Sequence, residues 1–372
     1  MSAPLVSIIT PAYNSAEFIG ATLASVAGQD YAPIEHIVVD GGSTDGTLEV
    51  VRAASARWVS EPDRGQSDAL NKGLRLARGE IIGWVNADDT YAPGAVRAGV
   101  AALQAAPAVG LVFADCLWID AAGATLDRWH TRPTTLSDLL LDGCVIAHQA
   151  AFARRSVFER VGEFDATLRY VMDYDWLLRA LAAFPAQGVE GVWGHLRVWE
   201  GTKTSQAQRA FWPENVAVIE RLLQQHLVAP EVAAEARGRV QLQLGLAAAW
   251  AEDWPTASQA FATALAGAPP YGAWPALAET ITARCQRPGY LAVSAAEADA
   301  RLDSVLRVPG LRAELRGALH TVRAFRAWQR HDHPAARRHA AAALRMWPAA
   351  RRNRGLWSVW ARAVLRPGSA RS

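Results

Sequence analysis

The sequence predicts two parts: an α/β domain with a mostly parallel, Rossmann-like sheet flanked by helices over residues 1–210, and an all-α domain over residues 211–372. Short β-branched runs alternate with amphipathic stretches through the first hundred residues, and this pattern is typical of a parallel sheet covered on both faces. A cluster of polar and turn residues follows each of these runs. Beyond about residue 210 the strand pattern ends, and alanine, leucine, arginine and tryptophan recur at helical spacing.

Four short runs predict the first strands, at residues 6–10, 36–40, 57–60 and 81–85. The polar clusters that follow them are PAYN at 11–14, DGGSTDGT at 40–47, EPDRG at 61–65 and NADD at 86–89. Ligands of parallel sheets lie beyond the carboxyl ends of the strands. The clusters therefore predict a ligand site along one edge of the sheet.

Residues 100–200 show a mixed pattern. It predicts strands at 110–115 and 149–154, a hairpin around 120–125, a helix at 173–184 and an edge strand at 192–199.

The helical part contains a weak internal repeat. Small and large residues keep the spacing of a tetratricopeptide helix pair at Leu244, Gly245, Ala257, Phe261, Ala264 and Pro269, and its second half recurs at Ala336, Ala340, Ala343 and Pro348. Two imperfect units are fewer than a solenoid requires, so we expect degenerate tetratricopeptide-like packing. Three nearby histidines, His331, His333 and His339, lack acidic or cysteine partners and favour a solvated helix face over a metal site.

Composition places the chain among globular proteins. Hydrophobic residues make up 51% and charged residues 20% of its 372 residues, a balance that argues against a disordered chain. Cys116, Cys144 and Cys285 are far apart and odd in number, which favours a reducing compartment over a disulfide framework. No basic leader precedes the first strand, and no apolar stretch approaches the roughly 18 residues that cross a bilayer. We therefore expect a cytoplasmic protein, soluble or peripheral to a membrane.

Five motifs in order resemble those of family 2 glycosyltransferases with a GT-A fold. They are PAYN at 11–14, VVDGGSTDGT at 38–47, SEPDRGQSDALNKG at 60–73, GWVNADDTY at 83–91 and MDYDWLLR at 172–179. The resemblance covers about residues 4–205. It implies an inverting hexosyltransferase-type enzyme with a nucleotide-diphosphate sugar as donor and Mg²⁺ or Mn²⁺ as cation.

Asp88 and Asp89 are the predicted metal ligands. Mg²⁺ that also binds substrate phosphates is held by one or two carboxylates, and two bare carboxylates this close repel each other without a cation. The alternative is a turn in which Asp89 caps the next helix. An aspartate often stands in the family where this chain has Asn86, so NADD resembles a variant in which Asn86 contacts a ribose and adds no charge.

The resemblance assigns nucleotide contacts to the loops after the first three strands. The residues are Pro11, Tyr13, Asn14, Asp40, Gly42, Ser43, Asp63 and Arg64. Asp40 is expected to contact the base, and the glycines after it permit a tight turn with N–H groups pointing into the site.

Several of these positions have structural alternatives. Glu17, three residues after Asn14, leaves a capping box open for Asn14, and Asp45 is favoured as a helix cap over a ligand contact. Asp68, Asn71 and Lys72 lie at helical spacing and fit a solvated face equally well.

Asp173 aligns with the catalytic aspartate of the family and is the predicted general base. Its alternative is an N-cap role, whereas Asp175 with Arg179 four residues later is explained as a helix-surface ion pair. In AHQAAFARR, His148 and Gln149 are expected to face the donor or acceptor sugar, with a structural histidine as the alternative. Trp199 stands where relatives often carry a histidine for metal or pyrophosphate. That leaves Arg197, Lys203 and Thr204 as predicted phosphate contacts.

The C-terminal end is strongly basic. Residues 323–372 carry twelve arginines and one acid, and Leu356, Trp357, Trp360, Val364 and Leu365 lie near one helical face. This pattern favours contact with anionic membrane as much as packing on the helical domain, and it disfavours nucleic acid.

By analogy with bacterial relatives, the expected acceptor is a glycan or a polyprenyl- or lipid-linked glycan at the inner face of the cell membrane, in polysaccharide or lipopolysaccharide biosynthesis. The alternative is a catalytically silent sugar-nucleotide-binding module that recruits assembly partners. A nucleotidyltransferase would need a glycine-rich, basic loop after the first strand, and TPAYNSAEF at 10–18 does not supply one.

Overall fold

The computed structural model describes residues 3–199, 201–202, 208–266, 272–287 and 292–365. The chain divides into two compact units: a first unit of residues 1–207 and 217–233, and a second unit of residues 208–216 and 234–372. The helix over Gln208–Leu223 supplies residues to both units, and the predicted domain boundary at residue 210 falls inside it.

The first unit is built on one sheet. Its strands are β1 (Val6–Ala12), β2 (Ile34–Asp40), β3 (Arg57–Ser60), β4 (Ile81–Trp84), β5 (Thr90–Tyr91), β6 (Leu111–Ile119), β7 (Thr125–Trp129), β8 (Ala151–Arg154) and β9 (Ala186–Arg197). Their order is β3-β2-β1-β4-β8-β6-β9-β5, with β7 paired to β6. The described helices of this unit are α1 (Ile19–Ala27), α2 (Thr47–Arg52), α3 (Gln66–Leu76), α4 (Ala95–Ala105), α5 (Leu136–Asp142), α6 (Arg155–Val161) and α7 (Met172–Ala183).

β1 to β4 form the parallel half of the sheet, and each lies where the apolar pattern predicts a strand. β1 is buried at all seven residues and lies between β2 and β4. The apolar strand has no solvated face, which is why its sequence does not alternate.

The other half of the sheet is mixed. β8 runs antiparallel to both β4 and β6, and β9 runs parallel to β6. The predicted hairpin is confirmed as β6 and β7, and the predicted helix at 173–184 is confirmed as α7. The prediction of an edge strand at 192–199 is wrong, because β5 pairs with His195 and Gly194 on the outer side of β9.

This topology gathers distant segments at one edge of the sheet. Because β4, β6 and β9 run in the same direction, the residues after β9 lie at the same edge as the loop after β4. β8 runs in the opposite direction, so the 3₁₀ turn that precedes it, His148–Ala150, also lies at that edge.

The second unit is helical. Its helices, with the shared one first, are α8 (Gln208–Leu223), α9 (Pro230–Trp250), α10 (Trp254–Ala264), α11 (Trp274–Gln286), α12 (Ala295–Arg307), α13 (Ala313–Gln329), α14 (His333–Met346) and α15 (Arg354–Leu365), with a 3₁₀ turn at Pro348–Arg352. None of the helices within the described ranges has the length and hydropathy that a membrane span requires.

One turn occurs twice in this unit. Asp253 before α10 has φ −82° and ψ 78°, Asp332 before α14 has φ −83° and ψ 78°, and each accepts an N–H from the first turn of its helix. The preceding residues, Glu252 and His331, have φ of +58° and +62°. A proline follows at the start of both helices, where its missing N–H costs nothing.

The repeat-like spacing corresponds to close helix packing. A Cβ at Gly245 would lie 3.0 Å from the ring of Phe261, so only glycine lets α9 approach that ring without displacing it. The small side chains of Ala336, Ala340 and Ala343 on α14 are fully buried in the core of the second unit. Pro269 lies outside the described residues.

The sequence predicts a solvated helix face for the three clustered histidines, but His333 and His339 are partly buried. His339 is partly buried, with its Nδ1 atom 2.9 Å from Nδ1 of His320 on α13, and His333 packs against the ring of Trp328. Burial and the second imidazole lower the pKa of His320 to about 4. Among the described residues no group of three acids, cysteines or histidines is placed to hold a metal ion.

The last described helix packs on the second unit. Leu356, Val359 and Ala363 of α15 are buried in its core, whereas Trp357 and Val364 are 43% and 42% exposed. One face of α15 therefore packs on the helical domain, which was one of the two alternatives for this segment. Residues 366–372 lie outside the described residues.

Candidate active site

The loop after β2 is organised around the Asp40 carboxylate. Asp40 has no exposed surface, and its Oδ2 atom accepts hydrogen bonds from the N–H groups of Gly42 and Ser43, both at 3.1 Å, and from the Ser60 hydroxyl at 2.6 Å. Its Oδ1 atom accepts from the Ser43 hydroxyl. Gly42 has φ of +89°, a conformation that favours glycine.

These contacts give Asp40 a different role from the predicted one. Burial alone would raise the pKa of Asp40, but hydrogen bonds from Ser43, Ser60 and Gly42 lower it below the ordinary value. The carboxylate is charged and already satisfied inside the loop. The prediction of a base contact for Asp40 is not supported by this arrangement, in which Asp40 shapes the loop from within.

The loop after β1 is tied to the loop after β2. Asn14 has φ of +46°, its N–H donates to the Ser43 hydroxyl at 2.8 Å, and its side-chain oxygen accepts from the Thr44 N–H at 3.0 Å. The capping-box alternative for Asn14 is wrong, because α1 begins at Ile19 without a side-chain cap. Asp45 accepts from the N–H groups of Thr47 and Ala16, which ties the loops after β1 and β2 together, but the N-cap of α2 is Gly46, without a side-chain cap.

Tyr13 projects from this pair of loops. Its side chain is 64% exposed, whereas Pro11 beside it is buried in β1. An exposed aromatic ring beside a rigid polar loop is a surface on which a planar base can stack.

Asp63 closes the same region from the loop after β3. It accepts the Gly65 N–H at 2.8 Å, and a Cβ at Gly41 would lie 2.6 Å from its Oδ2 atom, so the carboxylate approaches the Asp40 loop closely. The Arg64 side chain is 79% exposed and 3.4 Å from Asp68. Asn71 is buried and bonds the backbone of Phe164 in both directions, which is a structural role and not a solvated face.

The acidic loop after β4 treats its two carboxylates differently. Asp89 is 3% exposed; its Oδ1 atom accepts the Arg197 N–H at 2.9 Å, and its Oδ2 atom accepts from the Asn86 amide at 3.1 Å. Asp88 is partly exposed, and its Oδ2 atom accepts the Trp199 indole N–H at 3.1 Å. Within the described residues, no hydrogen bond occupies the Oδ1 atom of Asp88.

Burial and the charge of Asp88 raise the pKa of Asp89 to about 7. Asp89 does not cap a helix, because α4 begins only at Ala95. The two adjacent carboxylates therefore repel each other. Asp89 is buried beneath the loop, and Asp88 is partly exposed.

Arg197 holds this loop from below. Its side chain donates to the backbone carbonyls of Asp88, Asp120 and Ala121, each at 2.9 Å, and lies over the ring of Phe18. With a residue exposure of 7%, Arg197 is not placed to contact a phosphate, contrary to the prediction. Lys203 and Thr204 lie outside the described residues.

A chain of contacts joins the acidic loop to α7. The Asp173 Oδ2 atom lies 3.4 Å from Nδ1 of His148, and the His148 Nε2 atom lies 3.1 Å from the Asn86 amide nitrogen. That amide nitrogen also reaches Asp89, and the Asn86 oxygen accepts from Gln66 at 2.6 Å. The contacts bring together four predicted site residues: Asn86, Asp89, His148 and Asp173.

Asp173 does not cap α7, and part of its side chain is exposed. Its side chain is 28% exposed, and the residue at the N-cap of α7 is Val171. Burial would raise the pKa of Asp173, but the hydrogen bond and charge of His148 and the Tyr174 N–H lower it. Asp173 is therefore ionised near neutral pH and can accept a proton.

His148 is shaped by the acids around it. Burial would lower its pKa, but the hydrogen bond and charge of Asp173, followed by the charges of Asp89 and Asp88, raise it. Its ring stacks on Trp84, with centroids 5.6 Å apart and planes within 2°.

Sequence reasoning missed Trp84 and Gln66. Trp84 ends an apolar strand, where a tryptophan is expected in the core. Gln66 begins α3, and nothing in the sequence indicates that it donates a hydrogen bond to Asn86.

Asp175 is a buried structural acid. It is 3% exposed and bridges Arg179 at 2.8 Å and Arg221 of α8 at 2.6 Å. The predicted pair with Arg179 is confirmed, but it lies inside the protein and not on the helix surface. A cavity of about 300 Å³ beside this cluster includes neither Asp88 nor Asp173.

Comparison with known proteins adds to this geometry. Residues 7–162 match the model of "Glycosyl transferase family 2". An uncharacterized glycosyltransferase of Mycobacterium tuberculosis is 34% identical over 48% of this chain and 70% of its own length. A PGL/p-HBAD biosynthesis glycosyltransferase of Mycobacterium bovis is 33% identical over 49% of this chain and 72% of its own length.

Solved structures share the fold. The mannosyltransferase PcManGT from Pyrobaculum calidifontis, in complex with GDP-Man and Mn²⁺, superposes with a TM-score of 0.51 at 24% identity, over 82% of this chain and 88% of that one. TarS of S. aureus superposes with a TM-score of 0.50 at 18% identity over 86% of this chain, which spans about half (52%) of that protein. The predicted GT-A fold followed by a helical region is confirmed. This chain covers more than two thirds of two relatives to which it is 34% and 33% identical. It therefore belongs to glycosyl transferase family 2.

Proposed function

We propose that the chain is an inverting glycosyltransferase that moves a sugar from a nucleotide-diphosphate sugar to an acceptor hydroxyl, with Asp173 as general base and Asp88 as metal ligand. The observation that carries the proposal is the chain of contacts from Asp173 through His148 and Asn86 to Asp89. It places an ionised carboxylate and an acidic loop in one site, although they are far apart in sequence. A single-displacement transfer needs a base on one side of the sugar and charge stabilisation of the leaving group on the other.

Asp173 removes the proton from the attacking hydroxyl. Its exposed fraction leaves a carboxylate oxygen accessible, and its lowered pKa keeps that oxygen unprotonated at neutral pH. As the acceptor oxygen bonds to the anomeric carbon and the bond to the diphosphate breaks, the proton passes to Asp173.

Asp88 fits a divalent cation better than Asp89 does. One Asp88 oxygen is held by the Trp199 N–H, which fixes the side chain, and the other points away from any partner among the described residues. Mg²⁺ or Mn²⁺ held by one carboxylate and substrate phosphates matches this donor set. When bound, the cation would neutralise the charge that develops on the departing diphosphate. Asp89, with both oxygens already accepting N–H groups, supports the loop beneath.

The nucleoside is proposed to lie between Tyr13 and Asp63. Tyr13 offers an exposed ring, and Asp63 lies against the Asp40 loop, whose backbone is fixed by Ser43 and Asn14. The earlier assignment of Asn86 to a ribose is not supported, because both of its amide groups already have partners in the site.

The proposed acceptor is a hydroxyl of a glycan or a lipid-linked glycan. A relative named a PGL/p-HBAD biosynthesis glycosyltransferase supports a biosynthetic acceptor. The exposed Trp357 beside Arg351, Arg354 and Arg362 supports a peripheral contact with anionic membrane, a proposal that depends on α15 and the 3₁₀ turn before it.

The first test is nucleotide binding. Calorimetry with UDP, GDP, CDP and dTDP, with and without Mn²⁺, should find one nucleotide whose affinity rises with the metal. Asp88→Ala should reduce that metal-dependent gain at least about tenfold, whereas Glu190→Gln, an exposed acid on β9, should keep it. A metal-dependent gain that survives in Asp88→Ala would reject the proposed ligand.

The second test separates binding from turnover. Asp173→Asn should bind the same nucleotide unchanged and lose transfer by about 100-fold or more. Transfer at the wild-type rate in Asp173→Asn would reject the base. Binding without turnover in the wild-type protein, across the nucleotide sugars tested, would favour the silent module.

A further inference from the structure

His148 is held at three points. Its Nδ1 atom meets Asp173 at 3.4 Å, its Nε2 atom meets the Asn86 amide nitrogen at 3.1 Å, and its ring lies flat on Trp84. Only 12% of the side chain is exposed. A ring fixed at both nitrogens and one face has a single available orientation.

The hydrogen-bond roles follow from the partners. An ionised carboxylate can only accept, so the Nδ1 atom facing Asp173 carries a proton. The Asn86 amide nitrogen faces the Asp89 carboxylate, and its oxygen accepts from Gln66, which fixes the orientation of the amide. The Asn86 N–H therefore points at Nε2, and only a lone pair can accept it.

We propose that Asn86 and His148 form a positioning pair that orients the Asp173 carboxylate: Asn86 fixes the tautomer and ring of His148, and His148 holds Asp173 through Nδ1–H. The pair rests on the proposed base. It gives Asn86 a role in the reaction through another side chain, without contact to the nucleotide or the cation.

The residue type at position 86 matters for this role. A carboxylate there could only accept, so the same geometry would require a proton on Nε2 and a doubly protonated ring. The amide of Asn86 supplies the opposite polarity. The neighbouring acids favour protonation of His148, and the Asn86 N–H opposes it.

NMR on the free wild-type protein tests the pair directly. In protein labelled with ¹⁵N-histidine at about pH 8, where an ordinary imidazole is neutral, long-range ¹H–¹⁵N spectra report which nitrogen carries the proton. The His148 signals, assigned by their loss in His148→Asn, should show Nδ1 protonated and Nε2 bare. An Nε2–H tautomer or a doubly protonated ring in the wild type would overturn the proposal. In Asn86→Asp, the same signals should move to the doubly protonated form.

A pair of conservative variants tests the link to catalysis. Asn at position 148 mimics the Nδ1 donor, whereas Gln mimics the Nε2 position, so His148→Asn should retain about tenfold more kcat than His148→Gln, with donor KM alike in both. The readout is release of nucleoside diphosphate from UDP-, GDP- and dTDP-sugars. His130→Asn and His130→Gln are the matched controls, since His130 lies at the same 3.4 Å from Asp115 but is 74% exposed. They should leave kcat unchanged.

Equal kcat in the two His148 variants would overturn the positioning role. Failure of the base itself is distinguishable from failure of the pair. If Asp173→Asn retains transfer while His148 shows the expected tautomer, the base is wrong, although the hydrogen-bond pair exists as described.

Discussion

Two sets of polar residues in the first unit use the same residue types but have opposite protonation preferences. The β2 cluster is Asp40 and His36 with their hydroxyl partners, and the β4 cluster is Asp88, Asp89, Asn86, His148 and Asp173. On β2, burial and the hydrogen bonds around Asp40 leave its pKa lowered, and burial lowers the pKa of His36 to about 4, so the acid is charged and the imidazole neutral. In the loop after β4 and its surroundings, burial and the charge of Asp88 raise the pKa of Asp89 to about 7, and neighbouring acids raise that of His148.

The difference lies in the partners. Hydroxyl groups of Ser43 and Ser60 satisfy Asp40, and Thr10 satisfies His36 at 2.9 Å. Around β4, three carboxylates share one imidazole and one amide. The β2 cluster is complete without a ligand, whereas the β4 cluster carries negative charge that a cation would relieve. Position at a strand end is therefore not enough to identify a binding residue.

The largest expected effect is on the β2 side. Asp40→Ala removes the acceptor for the Ser43, Ser60 and Gly42 donors and should lower the free energy of unfolding by roughly 3–4 kcal/mol. Asp88→Ala, in the loop two strands away, should change it by less than about 0.5 kcal/mol, because its carboxylate is partly exposed and has one hydrogen bond. Urea unfolding of the two variants measures both. Equal losses would remove the distinction between a structural cluster and a binding cluster.

The next effect is a pH dependence from His36. Its folded pKa of about 4 lies below the unfolded value of about 6.5, so the unfolded chain binds a proton first as pH falls. The contribution of neutral His36 to the free energy of unfolding is fully present above about pH 6.5. At pH 5 this residue should lower the free energy of unfolding by roughly 1–2 kcal/mol.

His36→Gln provides the comparison, because Gln keeps a group at the Nε2 position near Thr10 but does not titrate. Urea unfolding between pH 7 and 5 should show a smaller loss in the variant than in the wild type. An identical loss in both would assign the dependence to other groups, such as His320 and His339 of the second unit.

Local patterns predicted most of the fold. The parallel strands are apolar runs long enough to recognise, and the polar clusters after them lie at one edge of the sheet. β5 was not predictable, because two residues form a strand only where β9 already lies beside them. The position of β9 inside the sheet depends on that same pairing.

The site was predicted less completely, since its chemistry depends on contacts between distant segments. Asp40 ends β2 and Asp88 lies in the loop after β4, and the contacts that distinguish them include one from Ser60, 20 residues from Asp40 in the sequence. His148 and Asn86 are 62 residues apart. Arg197 has the residue type of a phosphate ligand, but its burial beneath the acidic loop is fixed by the pairing of β9.

The smallest effect tests one hydrogen bond of the β2 cluster. Ser60→Ala removes the 2.6 Å bond to Asp40 while the donors of Gly42 and Ser43 remain, so the loss should be about 1 kcal/mol at neutral pH. With one stabilising donor fewer, the folded pKa of Asp40 rises. Because a depressed acid pKa stabilises the fold above the unfolded value and loses that effect as pH falls through the folded one, acid unfolding should begin at higher pH.

Ser67→Ala is the matched control, because the Ser67 hydroxyl donates to the neutral carbonyl of Leu168 at 3.0 Å in the same unit. It should cost a similar free energy without moving the acid transition, since no charge is involved. If Ser60→Ala and Ser67→Ala shift the acid midpoint equally, the Ser60 bond does not act on the ionised form of Asp40. Asp40 would then be held by the Ser43 hydroxyl and by the backbone donors of Gly42 and Ser43, and the contrast with the β4 cluster would rest on the turn at Gly42 and Ser43 rather than on Ser60.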